Sequence, residues 1–273
     1  MRRRLPATAP LLLAFCATVA FTSRAAAQPP RTNDDWCSDR WDDRQYHHCE
    51  VREATVPGLN PLEVDAGRNG GIRVSCWDRA EVHVRAKIVG YADSAAEARR
   101  VVGGVRIETG GNAIRAEGPD ASRDTGWSVS FELQVPRTAM LTLHTRNGGI
   151  SIADFRGTAT FRATNGGVTL TNVGGDIRGE TTNGGIRVRL SGDRWDGAGL
   201  DVETRNGGVQ LDLPDNYSAS LETGTVNGRV NIDFPVTVQG RINNRHLTTT
   251  LGSGGARVRA VTTNGGVTIR KRT

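Results

Sequence analysis

Large side chains are scarce in this chain. Phe, Trp and Tyr make up 5% of its 273 residues, there are two methionines, and beyond residue 130 Trp195 and Tyr217 are the only Trp or Tyr. A conventional sandwich core of this length draws on more bulk than that, so a thin core of Val, Ile, Leu, Thr and Ala is expected instead. No long apolar run follows Ala27, which excludes a membrane-spanning helix from the rest. Charge of one sign is lacking too. The segment up to Ala27 holds four of the 35 lysines and arginines and none of the 29 acids, so the remainder carries 31 bases against 29 acids, net +2. Near-neutrality, with arginines spread among acids, argues against nucleic acid as a partner.

The opening segment has the pattern of a secretory signal. Arg2, Arg3 and Arg4 precede an apolar run from Leu11 to Phe21, and Ala25, Ala26 and Ala27 supply small residues for cleavage after Ala27. Phe15 is too large to precede a lipidated Cys16, so no lipid anchor is expected. The mature product is predicted to be exported and periplasmic, on the cell surface or secreted, with no membrane span.

What the chain has in abundance is glycine, arranged in a repeat. Seven times an Asn-Gly is followed by an apolar-x-apolar triplet, with the asparagines at Asn69, Asn147, Asn165, Asn183, Asn206, Asn227 and Asn264. From Asn147 the intervals are 18, 18, 23, 21 and 37 residues. Three and five positions after each Asn stand Ile72/Val74, Ile150/Ile152, Val168/Leu170, Ile186/Val188, Val209/Leu211, Val230/Ile232 and Val267/Ile269. Side chains alternate across a strand, so these pairs face inward and the residue between them faces water. Six, four and two positions before Asn, columns such as Ala159/Phe161/Ala163 and Ile177/Gly179/Thr181 also read as inward; in-register stacking would set Phe161 beside Gly179. The alternate columns, Arg162/Glu180/Glu203 and Arg178/Asp201/Glu222/Arg259, mix charges as a solvated face does.

Asn-Gly permits an abrupt change of direction, since Asn tolerates and Gly freely adopts left-handed backbone. It is also a strong hairpin signal. The second Gly, the near-constant interval and the Thr two residues before Asn favour coils stacked as Thr and Asn ladders. The predicted fold is all-β: a β-solenoid, β-roll or β-helix-like, of short strands with Asn-Gly-Gly corners and one short helix in the N-terminal half. That helix is expected over Asp93 to Val102, with Ser94 and Glu97 spaced as a capping box, covering the first coil's open edge. The predicted organisation is a signal peptide at 1–27, a polar Cys/His/Trp leader at 28–50, and a repeat domain at 51–273, less regular over 51–135 and regular over 136–273.

In the leader, Cys37 and Cys49 enclose a short loop and are expected to form a disulfide. The alternative, a metal site of Cys37, His47, His48 and Cys49, fits no standard zinc spacing. Cys76 is left over and reads as a small residue in or near the core.

The NGG-apolar-x-apolar repeats, the segments VPRTAMLTLHTRNGGISI and GSGGARVRAVTTNGGVTI, and the WC…CEVRE leader behind a signal peptide resemble a bacterial family of exported Gly-rich β-strand repeat proteins, an adhesin-type domain of unknown function. The resemblance spans residues 51 to 273. It implies a β-solenoid at the cell envelope and brings no catalytic residues with it.

A non-enzymatic structural or adhesive module of the bacterial cell envelope is the function these readings predict, with no catalytic, cofactor or metal residues. Its expected partners are a cell-surface glycan or protein, or a second copy bound through the C-terminal strand edge, which Arg270, Lys271 and Arg272 guard. The alternative is a carbohydrate-active β-helix, a polysaccharide lyase or hydrolase using a pair among Asp176, Asp193, Asp196, Asp201 and Asp212, for which two carboxylates ~5–9 Å apart across a groove would be the mark. Calcium-binding nonapeptide repeats need an Asp at a fixed offset that this repeat lacks. Trp195, on the longer 23-residue interval, is the candidate binding loop, exposed for a ligand or tucked over its own base. An outward Thr array (Thr164, Thr182, Thr263) is interrupted by Arg146, Arg205 and Val226.

Overall fold

A computed structural model describes residues 36–38, 45–58, 60–232, 242–243 and 245–272. The signal-peptide reading at 1–27, and much of the leader, lie outside the described residues. The chain runs through β1 (Tyr46–Val56), β2 (Leu62–Asp65), β3 (Ile72–Trp77), β4 (Val82–Ala92), helix α1 (Ala95–Gly104), β5 (Arg106–Glu108), β6 (Ala113–Glu117) and β7 (Gly126–Pro136). Longer and shorter strands then alternate: β8 (Met140–Asn147), β9 (Ile150–Ala153), β10 (Thr158–Asn165), β11 (Val168–Thr171), β12 (Asp176–Asn183), β13 (Ile186–Arg189), β14 (Gly199–Asn206), β15 (Val209–Pro214), β16 (Ala219–Asn227) and β17 (Val230–Ile232). Last come β18 (Ile242–Asn243), β19 (His246–Leu251), β20 (Arg257–Asn264) and β21 (Val267–Arg272).

Two sheets share one core. The first has the order β1-β4-β7-β3-β9-β11-β13-β15-β21-β17, the second β18-β19-β16-β20-β14-β12-β10-β8-β2-β6-β5. Each Asn-Gly corner carries the chain from a strand of the second sheet to one of the first, and the next coil pairs parallel to the last with its asparagines aligned, as at Asn147, Asn165 and Asn183. The result is a solenoid-like repeat and not a run of hairpins. Both inward column sets are buried, at ~1.5–3 kcal/mol per large aliphatic side chain. Val230 and Ile232 are the exception, half-buried because β17 is the edge strand of its sheet.

The ends of the stack depart from chain order. β20 inserts between β14 and β16, and β21 between β15 and β17, so the last coil of the sequence is the second-last in space. The 37-residue interval is filled in part by β19, which pairs antiparallel to the outer side of β16. The C-terminal strand is therefore not an open edge over Val267–Ile269, which corrects the expectation of self-association there. Its basic end is also engaged: Lys271 Nζ lies 2.8 Å from Asp215, and Arg272 donates to Leu190 O and Ser191 Oγ, both at 3.1 Å. At the other end, β2 and β3 lie between β6/β7 and β8/β9, with β1 and β4 extending the first sheet antiparallel.

Helix α1 begins where its cap predicts, the Ser94 Oγ accepting from Glu97 N at 3.2 Å. It runs on to Gly104, past the expected end at Val102, and packs against β4 and β1, the edge strand of the first sheet. Gly90 makes room for it: a Cβ there would come within 2.8 Å of Val102 and 2.9 Å of Ala98 O. Arg52 reaches from β1 to the carbonyls of Val102 and Val105 at the helix C-terminus.

Candidate functional site

The seven corners form one continuous ladder. Asn147, Asn165, Asn183, Asn206 and Asn264 each donate from Nδ2 to the Oδ1 of the Asn before them in space, starting at Asn69, and Asn227 donates to Asn264, all at 2.7–2.9 Å. Thr181, Thr204, Thr262 and Thr225 stack in register as expected, but their hydroxyls do not bond one another. Thr145, Thr181, Thr204, Thr262 and Thr225 donate instead to the carbonyl of the first corner Gly of the adjacent coil, at 2.6–2.8 Å.

Left-handed backbone is not the common reason glycine recurs there. Of the first corner glycines only Gly70 and Gly265 have positive φ, at 150° and 158°, and among the described residues the non-glycine ones with left-handed φ are Asp154 and Asn172, on the return turns, with no corner Asn. A Cβ on Gly148, Gly166, Gly184 or Gly207 would instead stand 2.0–2.2 Å from the corner carbonyl oxygen of the neighbouring coil. The first Gly is required by the closeness of stacked backbones. The second is less constrained, with 3.0–3.4 Å available at Gly149, Gly167, Gly185 and Gly208. In the last corner in space Arg229 replaces it, where no further coil of the first sheet stacks.

The corners are thus committed to folding, and the other marked residues are committed too. Trp195 is 5% exposed and donates from Nε1 to Gly175 O at 3.0 Å, so of its two readings burial rules out the exposed binding loop and leaves the tucked-in one: it ties its turn to the preceding coil. Cys37 and Cys49 are joined as a disulfide. The clip holds Trp36 over Arg85, 5.1 Å away, and Arg85 also bonds Glu53 at 2.9 Å and Glu132 at 2.7 Å across three strands. His47 and His48 are neighbours on β1 and face opposite sides of the sheet. No group of three metal-ligating side chains occurs among the described residues. The Cys76 thiol is free, and burial pushes its pKa up to about 12, which favours the protonated form.

None of the five aspartates of the enzymatic alternative lines the open groove of this structure, although Asp176 and Asp201 lie on the paired strands β12 and β14. Asp176 and Asp201 stand on the second sheet, Asp212 on the first, and Asp193 and Asp196 on the turn before β14. Each faces an arginine: Asp176 with Arg178, Asp193 with Arg194, Asp196 with Arg156, Asp201 with Arg259 and Asp212 with Arg189, at 2.6–3.7 Å. The Arg194 hydrogen bond holds the Asp193 carboxyl below its usual range. Burial opposes the Arg259 charge, but bonds to Asp201 and Glu203 outweigh it and raise its pKa.

The first sheet turns Arg73 and Arg187 outward between its buried columns, and the other outward face is that of the second sheet. Its residues stack in rows across the strands, one row running Arg115, Asp65, His144, Arg162, Glu180 and Glu203. Toward the C-terminal end the face is neutralised internally: Arg257 meets Glu222 at 2.6 Å, and Arg259 reaches Asp201, Glu203 and Glu222. Toward the other end lies an open groove of about 550 Å³ lined by Asp65, Arg68, His144, Arg146, Arg162 and Thr164. Sequence reading missed this groove because coils β2/β3 and β8/β9, which line it together with β10, are 78 residues apart at their asparagines and adjacent in space. The available signal was the Arg before Asn in both corners.

A profile of the Toastrack DUF4097 family matches residues 101–270, more than half of the chain. No curated protein matches it. Among solved structures, the chain is similar to a candidate cell adhesion protein from Clostridium sporogenes, 10% identical with a TM-score of 0.40, over 82% of this chain and 100% of that one. It is also similar to a candidate adhesin from Bacteroides fragilis, 10% identical with a TM-score of 0.29, over 82% and 97%. A candidate lipid-binding protein from Parabacteroides distasonis is 10% identical with a TM-score of 0.28, over 82% and 97%.

Proposed function

This chain belongs to the Toastrack DUF4097 family, and from that premise we propose that it is an exported, non-enzymatic interaction module of the bacterial cell envelope, structural or adhesive, built as a β-solenoid. The observation that carries this reading is the division of labour in the repeat. The regular positions are spent on apolar columns, corner glycines and the Asn ladder, while the carboxylates that could have acted as a catalytic pair are each matched to an arginine. The outward rows of the second sheet, repeated at about 4.8 Å per strand, are left as the working surface, suited to binding through many weak contacts.

Export is supported by the charged-apolar-small order of the segment ending at Ala27 and by the Cys37–Cys49 disulfide, a bond that persists in oxidising compartments. On this reading residues 1–27 are a signal peptide, 28–50 a disulfide-clipped leader and 51–273 the repeat domain. The strand β1 runs through the boundary at residue 50, so the clip ties the leader directly to the first sheet.

Glycan-array and whole-cell binding by the protein lacking residues 1–27 test the proposal. Binding without turnover of the bound glycan is expected; a signal no higher than background on every surface removes the adhesive reading and leaves a scaffold, and release of product from any arrayed polysaccharide restores the enzyme.

A further inference from the structure

We infer that the groove at Arg68 and Arg146 is a binding site for the carboxylate or sulfate groups of an acidic polysaccharide, an inference that rests on the interaction-module reading above. Three observations carry it. First, the two arginines belong to abutting backbone: Asn147 N donates to Arg68 O at 3.1 Å, and Asn69 and Asn147 form a parallel bridge. Like charges on adjacent strands destabilise a sheet unless something compensates.

Second, several arginines of this face are compensated by acids, and these two are not. Arg178, Arg257 and Arg259 each have a carboxylate within 3.1 Å. Arg68 and Arg146 have no ion pair among the described residues. The carboxylate nearest in the groove, Asp65, turns its Oδ1 to Gly67 N at 2.7 Å and shapes the corner. Arg162, the third arginine of the groove, spends its charge sideways on Glu180 at 2.9 Å. The groove therefore presents two unmatched guanidinium forks beside His144 and Thr164, in an open space of about 550 Å³. Planar forks of this kind take carboxylate or sulfate oxygens through paired, charge-assisted hydrogen bonds.

Third, the outward column containing Arg146 continues along the stack as Thr164, Thr182 and Arg205. Arg205 also has no ion pair among the described residues, and at about 4.8 Å per strand it stands roughly 14 Å from Arg146. A linear polyanion leaving the groove along the stacking direction thus passes two threonine hydroxyls and meets a second unmatched cation. Charge, not stacking, does the recognising, which suits a face without aromatic platforms. An acidic membrane surface is the poorer fit. Basic segments that hold membranes pair with apolar residues that insert, and of the large exposed apolar side chains, Tyr46, Met140 and Val226, none lines the groove.

The test is calorimetric titration of the protein lacking residues 1–27 with heparin and with polygalacturonate, with neutral dextran and phosphatidylserine vesicles as parallel arms. Binding to one or both acidic polysaccharides that weakens with salt is expected. The Arg68→Ala/Arg146→Ala variant should lose 10-fold or more in affinity, Arg68→Lys/Arg146→Lys should retain part of it, and Arg178→Ala on the same face should leave it unchanged. Thermal unfolding of each variant checks that the fold is intact. Equal loss in Arg178→Ala and the double variant overturns the site in favour of diffuse attraction. Affinity indifferent to the double variant, or binding to neutral glycans alone, overturns the site while leaving the interaction module standing. Binding to vesicles alone overturns the polysaccharide. Failure of every arm together with a blank glycan array removes the module itself.

Discussion

Replacing Gly166 by alanine isolates the reason the corners carry glycine. The added methyl would lie 2.0 Å from Gly148 O, 2.4 Å from its carbonyl carbon and 2.9 Å from Gly149 N, against an ordinary carbon contact of about 3.5 Å. All three atoms are backbone, held by the hydrogen bonds Gly148 N to Asn165 O at 3.0 Å and Gly166 N to Asn183 O at 2.9 Å. Relief therefore requires parting the two coils at the corner. Overpacking of a tight interior costs about 1–3 kcal/mol and each weakened hydrogen bond about 0.5–1.5 kcal/mol, so a total of about 3 kcal/mol is expected. For a domain of this size that lowers Tm by roughly 6–12 °C. Gly167→Ala is the control: its methyl would stand 3.4 Å from Gly185 O, in ordinary contact, and its stability should stay within about 1 kcal/mol of the parent. Urea unfolding and calorimetry on the two variants decide the matter. Equal destabilisation in both refutes the close-approach explanation and returns the corners to a matter of backbone conformation.

Gly179→Ala should cost about 1–3 kcal/mol, because its methyl would sit 2.4–2.5 Å from the buried Phe161 ring, and Phe161→Leu in the same chain should recover part of the loss; additive costs in a double-mutant cycle contradict this. Thr204→Val removes a fully buried hydroxyl that donates to Gly184 O at 2.7 Å, leaving that carbonyl unmatched at about 1–3 kcal/mol, read by urea unfolding. With its pKa raised to about 12, on the order of 1 in 10,000 Cys76 thiols is ionised at pH 8, so alkylation by iodoacetamide should be at least 100-fold slower in the folded than in the urea-unfolded protein. Because folding raises this pKa, the thiol's contribution to stability is complete below the ordinary thiol value and fades as pH climbs from about 8.5 toward 12.

Period and alternation made the regular coils legible. The columns at three and five residues past each Asn, the Phe161–Gly179 pairing, the Ser94 cap and the Cys37–Cys49 clip are all local or strictly repeated, so a single chain read once reveals them. Stacking order is different, because identical corners fit one another equally well and nothing within a coil says which neighbour it will meet. That is why the insertion of β20 and β21 escaped sequence reading, and with it the closure of the C-terminal strand. The role of glycine escaped for a related reason: an unstacked Asn-Gly turn needs its backbone freedom, and the carbonyl at 2.0–2.2 Å exists only once the next coil is in place. The Arg68–Arg146 pairing is likewise a product of stacking, two arginines far apart in the chain that become neighbours when β2 and β8 pair. The long loop left Trp195 open to either reading, exposed or tucked in, because its partner, Gly175 O, lies one coil away.

The claim on which the rest depends is that the corners stack in the order 69, 147, 165, 183, 206, 264, 227. Paired cysteines on the outward column test it directly. Arg205 and Thr263 are adjacent across β14 and β20, and Thr263 and Val226 across β20 and β16, whereas Arg205 and Val226 are separated by an intervening strand. Adjacent positions lie about 4.8 Å apart and can be bridged by a disulfide; positions two strands apart lie roughly 9.6 Å apart and cannot. Mild oxidation should therefore crosslink Arg205→Cys/Thr263→Cys and leave Arg205→Cys/Val226→Cys reduced. The reverse, a bond in the second pair and none in the first, would mean that the coils stack in chain order and that the C-terminal strand is an open edge.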